Sequence, residues 1–349
     1  MTTLKHIASR VGVSTSTVSR VLNNDPSMSV SKETRKQIKQ IATELGYQSP
    51  SQRKQNEKEL SSFVARSHFQ LVKDHDLNLM VVHFLTPTEE LSDPYFTSIR
   101  IGIENRCHHF NIALRNSFTN NLVTSSGFLQ RAQAVICVGH FSAENIQYIR
   151  SLNERLIFID SNPLPKEADA VTFNRRGAAK EVLTYIISSG AIRPAFIGNN
   201  EDRLHIFREM TQKINIYDES LCKISSHFCI DSGYKAMAEI LDAGNITDVV
   251  FAATDIIAIG VYRAIQERGF DIPHQIQVVG MNDIPTSQHL SPSLTTMRLY
   301  PEQMGEAAVD LFMELIDGRD YKKNVQLGFD MIWRESFLQP TSQIVKLLK

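Results

Sequence analysis

Thr15, Ser16, Ser19, Arg20 and Asn23 are short hydrogen-bonding side chains plus one guanidinium, and no carboxylate interrupts them. This chemistry suits the major groove of double-stranded DNA, where small donors and acceptors meet base edges and positive charge meets phosphate. Only a helix brings such a spacing to one face, and the flanking residues supply it. Ile7, Ala8, Val11, Val18, Val21 and Leu22 recur at helical intervals and can share a small core. Gly12 separates two such segments, so the stretch reads as helix, turn, helix. Thr3 can cap a first helix over 4–11, and Ser14 can cap the second. Ser31 can cap a third, with Ile38, Ile41, Ala42 and Leu45 on one face and Gly46 as its stop. A purely structural helical bundle would share the apolar spacing; the polar face is what points to DNA.

Charge supports that reading. Residues 1–56 hold nine Lys and Arg against three Asp and Glu, a balance of +6, whereas the whole 349-residue chain carries −1. A basic head on an acidic body attaches one end to a polyanion and keeps the other off it. The length suggests two or three domains, and 42% hydrophobic residues allow a sizeable core. Cys107, Cys137, Cys222 and Cys229 are scattered without a CxxC pair, so buried reduced thiols are expected rather than disulfides or a metal site. The first residues show no basic-then-apolar leader, and no long uncharged apolar run is present, so a cytoplasmic protein without a membrane partner is expected. No GxGxxG follows a strand, and no P-loop, GxSxG or HExxH occurs. The histidines are dispersed, and Glu89-Glu90 reads as a solvated pair. No catalytic residue and no cofactor are expected.

Beyond a polar linker, apolar runs at 79–84, 134–138, 156–159, 194–198, 249–252 and 276–280 read as buried parallel strands. Amphipathic segments at 96–109, 177–189, 233–241 and 256–268 read as helices between them. This is the rhythm of doubly wound sheets, long enough for two subdomains, in which ligands bind beyond the strands' carboxyl ends.

The head resembles that of the LacI/GalR repressor family. The resemblance runs through Thr3-Leu4, Ile7-Ala8, Gly12-Val13-Ser14, Thr17-Val18-Ser19-Arg20-Val21-Leu22-Asn23, Glu33-Thr34-Arg35 and Leu45-Gly46-Tyr47. It implies base reading by Thr15, Ser16 and Arg20, phosphate contacts from Thr3, Ser14, Thr17, Ser19 and Asn23, and a further contact at Leu4. Where the family's hinge carries a leucine that wedges into the minor groove, this chain has Arg53, Gln55 and Asn56. Operator bending by that wedge is therefore expected to be weak, with Arg53 tracking phosphate. Residues 60–72 are semi-apolar, which the family does not predict.

The body is similar to the same family's periplasmic-binding-protein-like core. The match rests on Asp93-Pro94-Tyr95-Phe96, Phe158-Ile159-Asp160, Phe196-Ile197-Gly198, Ala253-Thr254-Asp255, Ala258-Ile259-Gly260 and Val278-Val279-Gly280-Met281-Asn282-Asp283. It implies an interdomain cleft, three chain crossings, and effector contacts from Tyr95, Phe96, Asp160, Arg203, Phe228, Thr254 and Asn282. Aromatic faces would stack on a sugar's C–H surface while the charged and amide groups pair with its hydroxyls. As residues alone, the aromatics can equally be core, Asp160 a turn residue and Arg203 a surface cation.

The expected architecture is an N-terminal all-α helix-turn-helix head (1–56), a linker or hinge (57–76), an α/β core of two subdomains (77–340) and a tail (341–349). The expected function is a DNA-binding transcriptional regulator, a repressor of a sugar-utilisation operon controlled by a small sugar. The similarity of residues 93–104 to the branch of galactose and evolved β-galactosidase operon repressors makes that sugar a galactoside. A purine or a phosphoprotein co-repressor, both used in the family, and a sugar receptor without DNA function are the alternatives. The short tail after Pro340 leaves no room for a tetramerising coiled coil, so a homodimer on a pseudo-palindromic operator is expected.

Overall fold

The structure is a computed structural model that describes residues 4–22, 30–44, 77–225 and 227–339. Thr3, Asn23, Leu45, Gly46, Arg53, the linker 57–76 and the tail 341–349 lie outside the described residues. The chain divides into two compact units, one within 1–74 and one within 75–349.

In the first unit, α1 (Leu4–Val11), α2 (Thr15–Leu22) and α3 (Lys32–Glu44) form a small bundle. Ile7, Val18, Val21 and Ile38 are fully buried at its centre, with Ala8 and Ala42 beside them and Val11 and Leu22 packed at the edge. The α1–α2 turn is closed at Gly12, whose φ of +74° suits a residue without Cβ; Gly12 N–H and Val13 N–H both donate to Ala8 O, at 2.9 and 3.1 Å. Two of the expected caps, Ser14 and Ser31, form. Ser14 Oγ accepts from Thr17 N–H at 3.1 Å, and Ser31 Oγ accepts from Thr34 N–H at 3.0 Å.

The second unit holds two sheets. The chain first lays down β1 (Asn78–His83), β2 (Ala113–Phe118), β3 (Ala134–Val138), β4 (Leu156–Ile159) and β5 (Asp169–Phe173). It then builds β6 (Pro194–Gly198), β7 (Cys222–Ile224), β8 (Val249–Ala252), β9 (Gln277–Asn282) and β10 (Thr295–Arg298). It returns to the first sheet with β11 (Asn324–Leu327) and to the second with β12 (Asp330–Ile332). The sheet orders are β11-β5-β4-β3-β1-β2 and β12-β10-β9-β8-β6-β7. All described pairings are parallel except β10 with β12. Three crossings between the sheets follow, as the resemblance implied.

The six apolar runs are the strands β1, β3, β4, β6, β8 and β9, most of them buried throughout. The other strands were not anticipated, for a physical reason. β2, β7, β11 and β12 are edge strands with polar or exposed positions. β5 and β10 are buried but short and carry Asp169, Thr295 and Thr296, whose polarity is satisfied internally. Arg319 holds Asp169 at 2.7 Å, and Thr296 Oγ1 donates to Asp255 at 2.6 Å.

Each subdomain has one close helix crossing. Helix Pro94–His109 packs on Pro301–Ile316, and Ile230–Asp242 packs on Asp255–Glu267. A Cβ at Gly102 would stand 2.0 Å from Glu302 O, and one at Gly260 would stand 2.0 Å from Ile230 O. Glycine lets the backbones touch there, which presses both helices onto their sheets.

Candidate nucleic-acid interface and effector cleft

The apolar stripe of α2 decides what it shows to solvent. With Val18 and Val21 buried, Thr15, Ser16 and Arg20 are exposed and Thr17 and Ser19 half-buried. At 3.6 residues per turn, Thr15, Ser19, Ser16 and Arg20 fall within an arc of about 140°. The hydroxyls at the helix start form one cluster: Ser14 Oγ lies 2.7 Å from Ser16 Oγ and 2.8 Å from Thr17 Oγ1. Ser14 is thus engaged in capping, and the cluster orients the Ser16 hydroxyl. Leu4, also expected at DNA, is half-buried and packs against the bundle core.

In the second unit, the proposed effector residues sit at strand ends and at helix starts. Asp93 caps helix Pro94–His109, accepting from Tyr95 N–H at 3.0 Å. Burial pushes the Asp93 carboxyl up to about 6, against its bonds from Tyr95 and Phe96 N–H. Tyr95 follows and is buried; its hydroxyl donates to Asp160 Oδ1 at 2.8 Å. Burial, then the Asp160 charge, holds the phenol well above its ordinary range, so it stays a donor. Phe96 packs edge-on against Phe84 and Tyr95, with ring centroids at 4.9 and 5.1 Å. Asp160 follows β4 with φ +75°, a left-handed conformation that Asp tolerates, and this turns its carboxylate toward Tyr95.

From the other subdomain comes Arg203, the second residue of helix Asp202–Lys213, only 6% exposed. Its guanidinium donates to Ala253 O and to Glu201, lies 3.8 Å from Met281 Sδ, and sits 5.2 Å from the Phe228 ring centroid. Ala253 and Met281 precede Thr254 and Asn282 directly, so Arg203 draws these proposed residues to one place. Thr254 is buried and caps helix Asp255–Glu267 by accepting from Ile257 N–H at 3.4 Å, which leaves its O–H to donate. Asn282 ends β9 with φ +118°.

Two residues that sequence reasoning missed join the halves. Arg175, just after β5, approaches Asp160 Oδ2 at 3.2 Å and Glu201 Oε2 at 3.4 Å. A continuous polar chain therefore runs Tyr95–Asp160–Arg175–Glu201–Arg203 across the cleft. Glu201 lies two places before Arg203 and Arg175 two after Phe173, but a pair that meets across a cleft leaves no local periodicity to detect. A cavity of about 480 Å³ opens beside this chain. Of the effector residues expected from sequence, Asp160 lines it and Tyr95, Phe96, Arg203, Phe228, Thr254 and Asn282 do not. The arrangement offers paired opposite charges, a buried phenol and aromatic faces, which match alternating hydroxyls and C–H surfaces. Among the described residues, no cluster of metal-ligating side chains is present and no helix is long and apolar enough to cross a membrane.

Residues 3–50 match the family described as bacterial regulatory proteins, lacI family, and residues 183–337 match a periplasmic binding protein-like domain. The HTH-type transcriptional repressor MelR of Bacillus subtilis (strain 168) is 32% identical over 348 residues, covering 96% of this chain and 97% of its own. The structure of a transcriptional regulator CelR–cellobiose complex superposes with a TM-score of 0.68 at 22% identity, covering 97% of this chain and 100% of that one. A lac repressor dimer bound to operator and the anti-inducer ONPF gives 0.66 at 22% identity, covering 96% and 98%. These structures establish the shared fold.

Proposed function

The chain belongs to the lacI family of bacterial regulatory proteins, and from that premise we propose that it represses a sugar-utilisation operon under the control of a small sugar in the cleft. It is a DNA-binding transcriptional regulator, and its relatives are regulators rather than enzymes. The observation that carries the sugar reading is the convergence of Tyr95, Asp160, Arg203 and Phe228 on one polar chain between two sheets. The family branch points to a galactoside, and the CelR–cellobiose structure has a sugar bound on this fold.

In this reading residues 1–56 read DNA through Thr15, Ser16 and Arg20, with Ser14, Thr17 and Ser19 at phosphates, as Thr3, Asn23 and Arg53 would be. Residues 57–76 connect to the effector-binding core 77–340, followed by the tail 341–349. A homodimer sets two heads on a pseudo-palindromic operator, by analogy with the lac repressor dimer on its operator. The protein works in the cytoplasm, without catalytic chemistry or a cofactor. A sugar changes DNA affinity because it binds one arrangement of the two subdomains better than the other.

The test is footprinting of the full-length protein on the intergenic DNA upstream of its own gene. Two protected half-sites about one or two helical turns apart, lost as salt rises, are expected. No protected site, or binding indifferent to salt, would count against the reading.

A further inference from the structure

Glu90, read from sequence as half of a solvated pair, is only 5% exposed, and His83 beside it is 2% exposed. We propose that Glu90 is a positioning residue for the effector site and that His83 makes its grip, and so the affinity for sugar, depend on protons. This rests on the sugar reading above and adds its regulation.

Glu90 holds the start of the helix that carries Tyr95 and Phe96. It lies in the short helix Pro87–Leu91, which opens with a capping box between Thr86 and Glu89. Glu90 O accepts from Asp93 N–H at 3.0 Å and from Thr97 Oγ1 at 2.9 Å. Asp93 in turn caps helix Pro94–His109 through Tyr95 N–H. The Glu90 side chain reaches one turn further: Oε1 accepts from Arg100 Nε at 2.8 Å, and Arg100 Nη1 donates to Glu104 Oε1 at 2.9 Å. One buried residue therefore ties the chain down both before Tyr95, at Asp93, and after it, at Thr97 and Arg100.

A place for a proton is already shaped beside that carboxylate. His83 ends β1, with its ring centroid 5.2 Å from that of Phe118. Nε2 lies 3.1 Å from Asn116 Oδ1, which only accepts, so Nε2 carries the hydrogen of the neutral ring. Nδ1 then holds a lone pair, and it faces Glu90 Oε1 at 3.8 Å. A proton on Nδ1 turns this juxtaposition into an ion pair and gives Oε1 a second cation besides Arg100. The charged groups around the ring are Glu90 from the short helix, and Arg100 and Glu104 from helix Pro94–His109. β2 offers the uncharged Asn116 and Phe118, and β3 offers Val138, opposite His83 in register. One cation thus faces two carboxylates, so the cluster can take up a positive charge.

Burial, against the Asn116 bond and the Glu90 charge, holds the imidazole below its ordinary 6.5. The arrangement seen here favours the neutral ring. It is fully favoured above 6.5 and loses ground as pH falls below that value. Once His83 takes a proton it competes with Arg100 for Glu90, and the turn that leads to Asp93 and Tyr95 shifts with Glu90. Sugar affinity falls in acid as a result. Asp93, pushed up to about 6, titrates in the same window, and a His83 variant separates the two.

Isothermal titration of the full-length protein with galactose, lactose, melibiose and cellobiose at pH 7.5, 6.5 and 5.5 tests this. The sugar that binds the parent should lose about fivefold or more in affinity across that range. His83→Gln, whose amide can still donate to Asn116, should keep the parent's affinity at pH 7.5 and lose the fall. Glu90→Ala should weaken binding about fivefold or more at pH 7.5, and Glu90→Gln, which keeps an oxygen for Arg100 Nε, should restore it. Binding to upstream DNA without sugar, equal in parent and variants, is the check on folding. Parent affinity that does not change with pH, or an equal fall in His83→Gln, would overturn the proton linkage and leave the sugar reading standing. Glu90→Ala that binds sugar as the parent does would overturn the positioning. Failure of every sugar to bind would overturn both readings.

Discussion

Arg20 presents a guanidinium able to donate two parallel hydrogen bonds to a guanine edge, from the exposed arc that carries Thr15 and Ser16. Arg20→Ala should cost about 1–3 kcal/mol of the preference for operator over unrelated DNA. Competition anisotropy measures this; equal losses on both DNAs would make Arg20 a phosphate contact. Asp255 offers a pH signature. Burial raises its carboxyl to about 6, despite bonds from Thr296 and Ser287 hydroxyls and Ile284 N–H. A folded value above the unfolded 3.8 means that the proton favours the folded state. The stabilisation is complete below 3.8 and is lost as pH rises through about 6. Urea unfolding of Asp255→Asn should lack this falling component, and a difference from the parent that stays constant across the window would contradict it. At this scale the alternation of strands and helices was legible, whereas Asp160, Arg203 and Thr254 were picked out only by the resemblance to the family, because a residue just past a strand carries no periodic mark of its own. Arg175 and Glu201 were not legible, because their roles exist only once two sheets face each other.

Among the elements, the buried strands and longer helices could be read because burial writes an unbroken apolar run or an amphipathic repeat into the chain. Edge strands such as β2, with Arg115 and Asn116 exposed, carry no such mark. The close helix crossings were also invisible, since a glycine in a helix looks like a weakness until its neighbour is known. Gly260→Ala tests that contact. Helix propensity alone would favour alanine by about 1 kcal/mol, but the new Cβ meets the Ile230 carbonyl at 2.0 Å, and a backbone oxygen cannot swing aside. A net loss of about 1–3 kcal/mol is expected in thermal or urea unfolding; a gain would contradict the close approach. In the head, Ser14→Ala removes the acceptor for Thr17 N–H and should cost about 1 kcal/mol. Circular dichroism of the full-length protein should report it as an earlier loss of helix, without any change in sugar binding.

For the molecule as a whole, the basic head and the acidic remainder divide the work, one holding operator DNA and the other a sugar effector. The account's central claim is that one chain couples the two. It is tested by fluorescence anisotropy on labelled upstream DNA, titrated with galactose, lactose, melibiose and cellobiose, for the parent protein and for Arg203→Ala. Arg203 lies in the core, so its loss should leave DNA binding without sugar intact while stripping the cleft of its buried guanidinium. The account predicts salt-sensitive DNA binding by both proteins, shifted about fivefold or more by a sugar in the parent alone. Parent DNA affinity that no sugar alters, or an Arg203→Ala protein that responds as the parent does, would contradict it.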